Sequence, residues 1–241
     1  MLVMDHTRTG GHHPTSHRCN NGAMRITLPS GTTAELDDSV RDPVMGVVVT
    51  PDIFGLRPLF DDFVARIARE WQAAVIAVEP FPDRDLPLDI EPRFAAMSNV
   101  DDDVHLRDLE EAAALLGCER VGLIGFCMGG MYCHKASRSN RFARIASFYG
   151  MIHVPAGWMG PKQAEPLDML RRGHAERVMA IIGEKDPYTP SNHVDELREV
   201  GVTVVAYPEA EHGFAHDASR PAHRADDAAD AFDRAKAWLL G

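Results

Sequence analysis

Short apolar runs alternate with amphipathic segments along most of this chain. The runs are MGVVVTP, AAVIAVEPF, RVGLIGF, ARIASFYG, RVMAIIGEKD and VTVVAYP. Continuous apolar runs of this length are typical of strands that are buried on both faces, and parallel neighbouring strands need a crossover helix between them. The alternation therefore predicts an α/β fold with a doubly wound, mostly parallel sheet and helices on both faces.

The segments between these runs have helical spacing. In LFDDFVARIAREW the apolar residues recur every three or four positions and form one stripe. Further helices are predicted in DDDVHLRDLEEAAALLG, CMGGMYCHKAS, SNHVDELREVG and AHRADDAADAFDRAKAWLL. The early segments MRITLPSG and TTAEL predict a short hairpin. Residues 82–100, with several prolines and acidic residues, predict a long loop or a small excursion.

The first 22 residues differ in composition from the rest of the chain. They are rich in His, Gly, Thr and Asn without apolar periodicity, so residues 1–22 are predicted to be a flexible N-terminal leader. Residues 23–241 are then expected to form a single domain, because this length is ordinary for one α/β sheet with helices on both faces. The leader contains His6, His12, His13 and His17. These histidines share no helical face, and we expect no metal site from them.

Net charge and apolar content exclude several classes of partner. The formal net charge is −11 at pH 7, which argues against binding to nucleic acid or to an anionic membrane surface. No apolar stretch has the length of a membrane span, and the N-terminus lacks the apolar core of a signal peptide. We therefore expect a cytoplasmic protein, a monomer or small homo-oligomer, that acts on a small molecule.

The four cysteines are too few and too irregularly spaced for a disulfide framework, and no CxxC pair indicates a structural zinc site. They are expected to be free thiols. Cys127 lies in the segment GFCMGG, between a predicted strand and a predicted helix. This is the form of a nucleophile elbow, in which small flanking residues permit a very tight turn. A helix N-terminus favours a thiolate, and the N–H of Met128 would face a developing oxyanion. The alternative is a tight glycine turn with a buried, inert cysteine.

Two later loops carry the residue types that such a nucleophile needs. Asp186 follows the run MAIIGEK, and His212 follows VVAYPEAE and precedes a glycine. Acid and histidine thus come after the nucleophile in chain order, each behind a later strand. His212 is expected to accept and return a proton, and Asp186 to orient its ring. Taken singly, each would be an ordinary loop residue.

The segments GFCMGG, GEKDPYTP, EAEHGF and TPDIFG together resemble those of the dienelactone hydrolase family, from about residue 24 to the C-terminus. The resemblance implies an α/β-hydrolase fold and a Cys-His-Asp triad, without a metal or a cofactor. It implies that the triad opens the enol-lactone ring of dienelactones. It also implies that the N–H of Ile53 is the second donor of the oxyanion hole.

The resemblance further implies roles in substrate binding and gating. Asp52 stands where the family usually has a glutamate that interacts with the resting thiol, and the shorter side chain reaches less far. Arg84 matches one arm of an arginine clamp for the substrate carboxylate, whereas His216 stands in place of the other arm. A histidine is only partly charged at neutral pH, so the anion pocket is expected to be weakened or reshaped.

The function expected from these residues is hydrolysis of a lactone or ester. Two alternatives remain open. A broader carboxylesterase or thioesterase on the same scaffold would fit the substitutions at Asp52 and His216. A hydrolase-like binding protein without turnover would fit them as well, although a complete triad has no evident purpose in such a protein.

Overall fold

A computed structural model describes residues 17–18, 22–82, 84 and 86–241 of the chain. The strands in this part of the chain form one nine-stranded sheet in the order β1-β2-β3-β5-β4-β6-β7-β8-β9. Their bounds are β1 His17–Arg18, β2 Met24–Thr27, β3 Thr33–Asp37, β4 Gly46–Thr50, β5 Ala74–Val78, β6 Val121–Phe126, β7 Arg144–Phe148, β8 Val178–Gly183 and β9 Thr203–Tyr207.

The pairing confirms the α/β prediction. From β5 to β9 along the sheet, every neighbouring pair is parallel, whereas β1, β2 and β3 pair in antiparallel fashion at one edge. The predicted hairpin is β2 with β3. Strands β4 and β6 are neighbours although they are far apart in the chain, since β5 lies on the other side of β4. The order reverses at this point, and ligands of open α/β sheets bind there.

The described helices match the predicted segments, with two additions. They are α1 Pro58–Trp71, α2 Ile90–Met97, α3 Asp102–Leu115, α4 Met128–Lys135, α5 Pro166–Arg172, α6 Ser191–Glu199 and α7 Ala225–Leu240. Helix α2 lies inside 82–100, which the sequence predicted to be a loop or small excursion. Three of its residues are buried, so tertiary packing forms this helix despite its weak pattern. The prediction did not include α5 either.

Apolar side chains fill both faces of the sheet. On one face the core contains the stripe of α1, including Phe60 and Phe63, and the small residues of α7. On the other face, helices α3, α5 and α6 supply residues such as Leu109, Leu170 and Leu197. A third cluster around Met97 and other buried residues lies where α2 meets the loops that follow β4 and β6. The sheet is therefore covered on both sides, as parallel sheets require.

Most of the predicted leader lies outside the described residues, including His6, His12 and His13. His17 and Arg18 nevertheless form a short strand against β2, so a piece of the segment predicted as a leader joins the edge of the sheet. Among the described helices, none combines the length and apolar character that a membrane span requires.

Candidate active site

The three residues with predicted catalytic roles lie at the same edge of the sheet. Cys127 directly follows β6, Asp186 follows β8 and His212 follows β9. All three strands are parallel, so their carboxyl ends meet at one edge and bring these side chains together. Asp52 and Ile53 reach the same edge, because they follow β4, the neighbour of β6.

Cys127 occupies a strained turn between β6 and α4. Its backbone has φ 56° and ψ −116°, a conformation that L residues rarely adopt. Such a position costs roughly 1–3 kcal/mol and persists where the surrounding packing imposes it. The turn places the thiol beside the start of α4, where the unpaired N–H groups of the helix favour a negative charge.

The glycines of GFCMGG are required by close packing. A methyl group at Gly129 would lie 2.1 Å from the carbonyl oxygen of Thr50, and one at Gly130 would lie 2.6 Å from that of Phe148. At Gly125 it would lie 2.4 Å from the carbonyl oxygen of Gly129. Helix α4 therefore lies directly against the loop that follows β4. This contact brings Met128 close to Ile53.

A buried ion pair holds the far end of the elbow helix. The ammonium of Lys135 lies 2.8 and 2.9 Å from the two carboxylate oxygens of Asp102, and Tyr132 donates to the same carboxylate at 2.9 Å. Burial lowers the pKa of Lys135, whereas the Asp102 carboxylate raises it. Asp102 also accepts a hydrogen bond from the backbone N–H of Ala164. The Asp102 carboxylate therefore links both α4 and the loop that contains Ala164 to α3.

His212 connects the thiol to the acid. Its Nδ1 lies 2.7 Å from Oδ2 of Asp186, and the ring lines the same cavity as the Cys127 thiol and interacts with it electrostatically. The other oxygen of Asp186 accepts the backbone N–H of Tyr188 at 2.8 Å. Tyr149 and Tyr188 pack against the imidazole with ring centroids 5.3 and 4.9 Å away. Hydrogen bonds and ring packing together fix the orientation of the ring.

The electrostatics favour a charged His212. Burial lowers its pKa, but the charge of Cys127 and the hydrogen bond that the ring donates to Asp186 outweigh burial and raise the pKa to about 10. The structure therefore places an imidazolium ring beside Cys127. A thiolate, rather than a thiol, is the form of cysteine that attacks carbonyl carbon.

Two backbone N–H groups are free beside the thiol. The N–H groups of Ile53 and Met128 make no hydrogen bond to any described residue, and Met128 is the first residue of α4. Arg93 anchors the loop that contains Ile53, since its Nη1 donates to the carbonyl oxygen of Ile53 at 3.0 Å. Its Nε and Nη2 donate to the carbonyl oxygens of Pro87 and Leu86. Free N–H groups held in place in this way can stabilise an oxyanion.

Asp52 is fully engaged by groups other than the thiol. Arg57 donates to both of its oxygens, at 2.6 and 2.8 Å, and the N–H of Phe54 donates to Oδ1 at 3.0 Å. Nε2 of His216 donates to Oδ2 at 2.8 Å, and Nδ1 of His216 accepts from the Tyr149 hydroxyl at 2.5 Å. The gating contact between Asp52 and Cys127 that the resemblance implied is absent among the described residues.

The Asp52 network is ionic at one end and neutral at the other. Burial raises the pKa of Asp52, but the hydrogen bonds from His216 and Arg57 outweigh it and lower that pKa well below its ordinary value. Burial lowers the pKa of His216, so its ring is neutral. A neutral imidazole with Nε2 protonated donates to Asp52 and accepts from Tyr149, as the distances require.

A cavity of about 370 Å³ opens above these groups. Its lining includes Cys127, His212, Asp52 and Ile53. Its wall is mostly aromatic and apolar, formed by Phe54, Ile90, Phe94, Met151, Trp158 and Tyr188. The volume and the apolar wall suit a small organic ligand.

Arg220 also lines this cavity and is its one arginine or lysine in the part of the chain that the structure describes. The guanidinium lies against the backbone of Gly213, where an added methyl group would be 2.7 Å from Nη1. It makes no hydrogen bond or ion pair with another described residue. Five N–H donors are therefore available to an anionic group of a ligand.

The similarity of this chain to known proteins shows the family to which it belongs. The sequence model of the dienelactone hydrolase family matches residues 32–240. The chain belongs to the dienelactone hydrolase family. Its α/β-hydrolase fold is shared by a crystal structure titled "Putative Dienelactone Hydrolase" from Klebsiella pneumoniae, with a TM-score of 0.78 and 25% identity over 90% of this chain and 97% of that one.

Two curated relatives of this dienelactone hydrolase family member carry names of lactone-opening enzymes. A protein of Bradyrhizobium named "Probable 2-oxo-3-(5-oxofuran-2-ylidene)propanoate lactonase" is 26% identical over 80% of this chain and 82% of its own length. A protein of Synechocystis named "Putative carboxymethylenebutenolidase" is 28% identical over 79% of this chain and 83% of its own length.

Two residues that the family resemblance placed at the substrate carboxylate lie elsewhere. Arg84 is exposed, donates to the carbonyl oxygens of Ala96 and Asn99, and does not line the cavity of Cys127. His216 is buried with both ring nitrogens occupied, so neither is free for a ligand. In this family member the arginine that lines the cavity is Arg220. The sequence motifs did not indicate Arg220, because it comes four residues after His216, the position expected for the second arginine of the clamp.

The sequence reasoning also missed Arg57, Arg93 and Tyr149. Arg57 and Arg93 stand in or near predicted loops, where a basic residue is by default a solvated one. Tyr149 is the residue after β7, and its φ of 40° turns it towards the site. The position of Tyr149 in the chain could have indicated its role, because Tyr149 follows the strand that lies between β6 and β8 in the sheet.

Proposed function

We propose that this protein hydrolyses a lactone or ester bond, with Cys127 as nucleophile, His212 as general acid and base, and Asp186 as the group that orients His212. The observation that carries the proposal is the arrangement of these three residues: the His212 ring hydrogen-bonds to Asp186 and lines, together with the Cys127 thiol, a cavity that fits a small ligand. Membership of the dienelactone hydrolase family supports the same reaction class.

The first half of the reaction is acylation. The Cys127 thiolate attacks the carbonyl carbon, and the carbonyl oxygen becomes an oxyanion that accepts from the N–H groups of Ile53 and Met128. When the tetrahedral intermediate collapses, the bond between the carbonyl carbon and the ring oxygen breaks. The His212 imidazolium protonates the leaving oxygen, and a thioester on Cys127 remains. In a lactone the leaving oxygen stays attached to the acyl group.

The second half is hydrolysis of the thioester. His212, now neutral, takes a proton from a water molecule while that water attacks the thioester carbonyl. The same two N–H groups hold the second oxyanion. Expulsion of the Cys127 thiolate restores the starting ion pair with His212, whose charge Asp186 stabilises throughout.

The substrate class that the cavity fits best is a small unsaturated lactone with a carboxylate arm. The names of the relatives describe such molecules, since one is a lactonase for a furanylidene propanoate and the other a carboxymethylenebutenolidase. In this chain the unpaired Arg220 guanidinium would receive the carboxylate, while the aromatic wall holds the planar ring. Hydrolysis of dienelactone is therefore the most specific form of the proposal.

One observation favours a second candidate, a carboxylesterase for uncharged esters. Apart from Arg220, the wall of the cavity is apolar, and the expected clamp residues Arg84 and His216 do not reach it. A single cation anchors an anionic substrate less firmly than a pair does. Both candidates use the same nucleophile and differ only in the role of Arg220.

The deciding experiment assays purified wild type and Cys127→Ala on dienelactone and on p-nitrophenyl acetate. The matched control is Cys118→Ala, which removes a thiol that contacts the backbone of Leu116, away from the cavity. We expect Cys127→Ala to lose hydrolysis of both substrates and Cys118→Ala to keep it. Hydrolysis that survives in Cys127→Ala would refute the mechanism.

Arg220→Met separates the two substrate classes. A hydrogen bond to a charged group contributes about 1.5–3 kcal/mol, so kcat/KM for dienelactone should fall roughly 10- to 150-fold. The value for p-nitrophenyl acetate should stay near that of wild type. Arg84→Met is the control and should change neither. Equal effects of Arg220→Met on both substrates would favour the carboxylesterase.

A further inference from the structure

Two histidines and a glutamate come together beside the active-site cavity, outside the triad. His153 lies in the loop after β7, two residues beyond the cavity residue Met151. His193 and Glu196 lie one turn apart on α6, which begins three residues after the cavity residue Tyr188. The cluster therefore joins two segments that each supply a wall of the cavity.

The side chains in this cluster face one another. Each offers a ligand atom within 4.8 Å of the other two, and Nε2 of His153 lies 2.7 Å from Oε2 of Glu196. The rings of His153 and His193 are 4.5 Å apart between centroids, at an angle of 64°. No described lysine or arginine makes an ion pair with Glu196. His193 contributes a ring nitrogen, Nδ1, that has no hydrogen-bond partner.

We propose that His153, His193 and Glu196 bind a divalent transition-metal ion of the zinc class. Two imidazoles and one carboxylate are a ligand set that Zn²⁺ takes, with water in the fourth position. Bond lengths of about 2.0–2.2 Å in a tetrahedral site place neighbouring ligand atoms about 3.4 Å apart. Small rotations of these side chains produce that spacing, because His153 and Glu196 are about one third exposed. Their exposure also admits the water ligand.

A second carboxylate supports His153 as a ligand. Oε2 of Glu165 lies 3.6 Å from Nδ1 of His153, on the side of the ring away from Glu196. Glu165 is held in place, since the same oxygen accepts the backbone N–H of Val154 at 3.0 Å. Metal-binding histidines typically direct their second nitrogen towards a carboxylate, which sets the tautomer and increases the basicity of the ligand. An ordinary surface ion pair between His153 and Glu196 would not require a second carboxylate beside Nδ1 of His153.

The ion would link the loop that carries Met151 to the start of α6. In the absence of an ion, the described side-chain contacts across this junction are the His153–Glu196 hydrogen bond and the packing of the two imidazoles. A metal bound to both segments holds them in one arrangement. The ion would therefore stabilise the wall of the cavity and would take no part in the chemistry at Cys127.

The test measures binding of Zn²⁺ to the full-length, untagged chain in the Cys127→Ala background, so that the catalytic thiol contributes no ligand. We compare this parent with the double variant His153→Ala, Glu196→Gln after incubation with ZnCl₂ and removal of free ion. The parent should retain one more zinc per chain. At a free Zn²⁺ concentration of about 100 times Kd, its Tm should rise by roughly 5–10 °C, and that of the double variant should not. Co²⁺ should give the visible absorption of a tetrahedral site in the parent alone.

The matched control is His174→Ala. His174 also lies beside an acidic side chain, 3.4 Å from Glu176, but it belongs to no group of three ligands among the described residues. It should retain as much zinc as the parent. The leader histidines, His6 among them, are present in every variant, so their contribution cancels in the comparison. Equal zinc content and equal Tm shifts in the parent and the double variant would overturn the proposal and leave an ordinary ion pair.

Discussion

Replacing Cys127 with alanine is expected to lower the pKa of His212 sharply. In the wild type, burial lowers this pKa, but the charge of Cys127 and the hydrogen bond that the ring donates to Asp186 together raise it to about 10. Among the raising contributions the charge of Cys127 is the largest. Alanine removes it and keeps the 2.7 Å contact between His212 and Asp186. Burial is then opposed by Asp186 alone.

The size of the effect follows from the ordinary pKa of histidine. The difference between about 10 and 6.5 is about 3.5, which corresponds to roughly 5 kcal/mol in favour of the protonated ring at 1.36 kcal/mol per pKa unit. The negative charge next to the ring is the largest contribution to this preference. In Cys127→Ala the pKa of His212 should therefore fall by at least 1 and approach 6.5.

The assay is an NMR titration of the His212 ring in wild type and Cys127→Ala between pH 5 and pH 11. Buried His216 serves as the internal control, because burial lowers its pKa and it should stay neutral in both proteins above pH 6.5. A wild-type His212 that titrates near 6.5, or the same midpoint in both proteins, would refute the ion pair and the reasoning that gives Cys127 its thiolate.

The same shift has a consequence for stability. A group whose pKa is raised on folding stabilises the protein fully below its unfolded pKa of 6.5, and this contribution is lost as the pH rises towards 10. The free energy of unfolding of the wild type, measured with urea, should therefore decrease between pH 7 and pH 10. Cys127→Ala should show a smaller decrease.

Three further substitutions test how the site is held together. Asp52→Asn should reduce the free energy of unfolding by about 3–5 kcal/mol in urea at pH 7, because it leaves a guanidinium without its buried partner. Since folding lowers the pKa of Asp52, its contribution is lost on acidification, and the variant should lose less stability between pH 5 and pH 3. Gly129→Ala should prevent correct folding, as judged by near-UV circular dichroism, because the added carbon would lie 2.1 Å from the carbonyl oxygen of Thr50. Arg93→Met should lower kcat about 10-fold with little change in KM, because the loop of Ile53 would lose its anchor.

Two of these predictions have a matched control variant. Gly157→Ala introduces the same methyl group where no atom lies within 4 Å, and it should fold normally. Arg84→Met removes an arginine that also donates to two carbonyl groups, but away from the loop of Ile53, and kcat should be unchanged. Equal losses in Arg93→Met and Arg84→Met would contradict the positioning role. For Asp52→Asn, unchanged stability at pH 7 would contradict the buried network.

The sequence predicted the fold because its signals are local. Apolar runs that are buried on both faces require crossover helices, and the structure confirms a mostly parallel sheet with helices on both sides. Helix α5 was not predicted, and helix α2 was a second exception. Its residues have weak helical periodicity, and the helix forms where Ala96 and Met97 pack against the loops after β4 and β6.

The candidate site also has a part that the sequence determines and a part that only the tertiary structure determines. By itself, the sequence determined the order of Cys127, Asp186 and His212 and the strand behind each of them. An elbow is a property of neighbouring residues, and parallel strands carry their following loops to one edge. What only the tertiary structure decided is which side chains point into the cavity. It directs Arg220 inwards and leaves Arg84 outside, because the packing of whole loops, rather than a spacing along the chain, determines the direction of a long side chain.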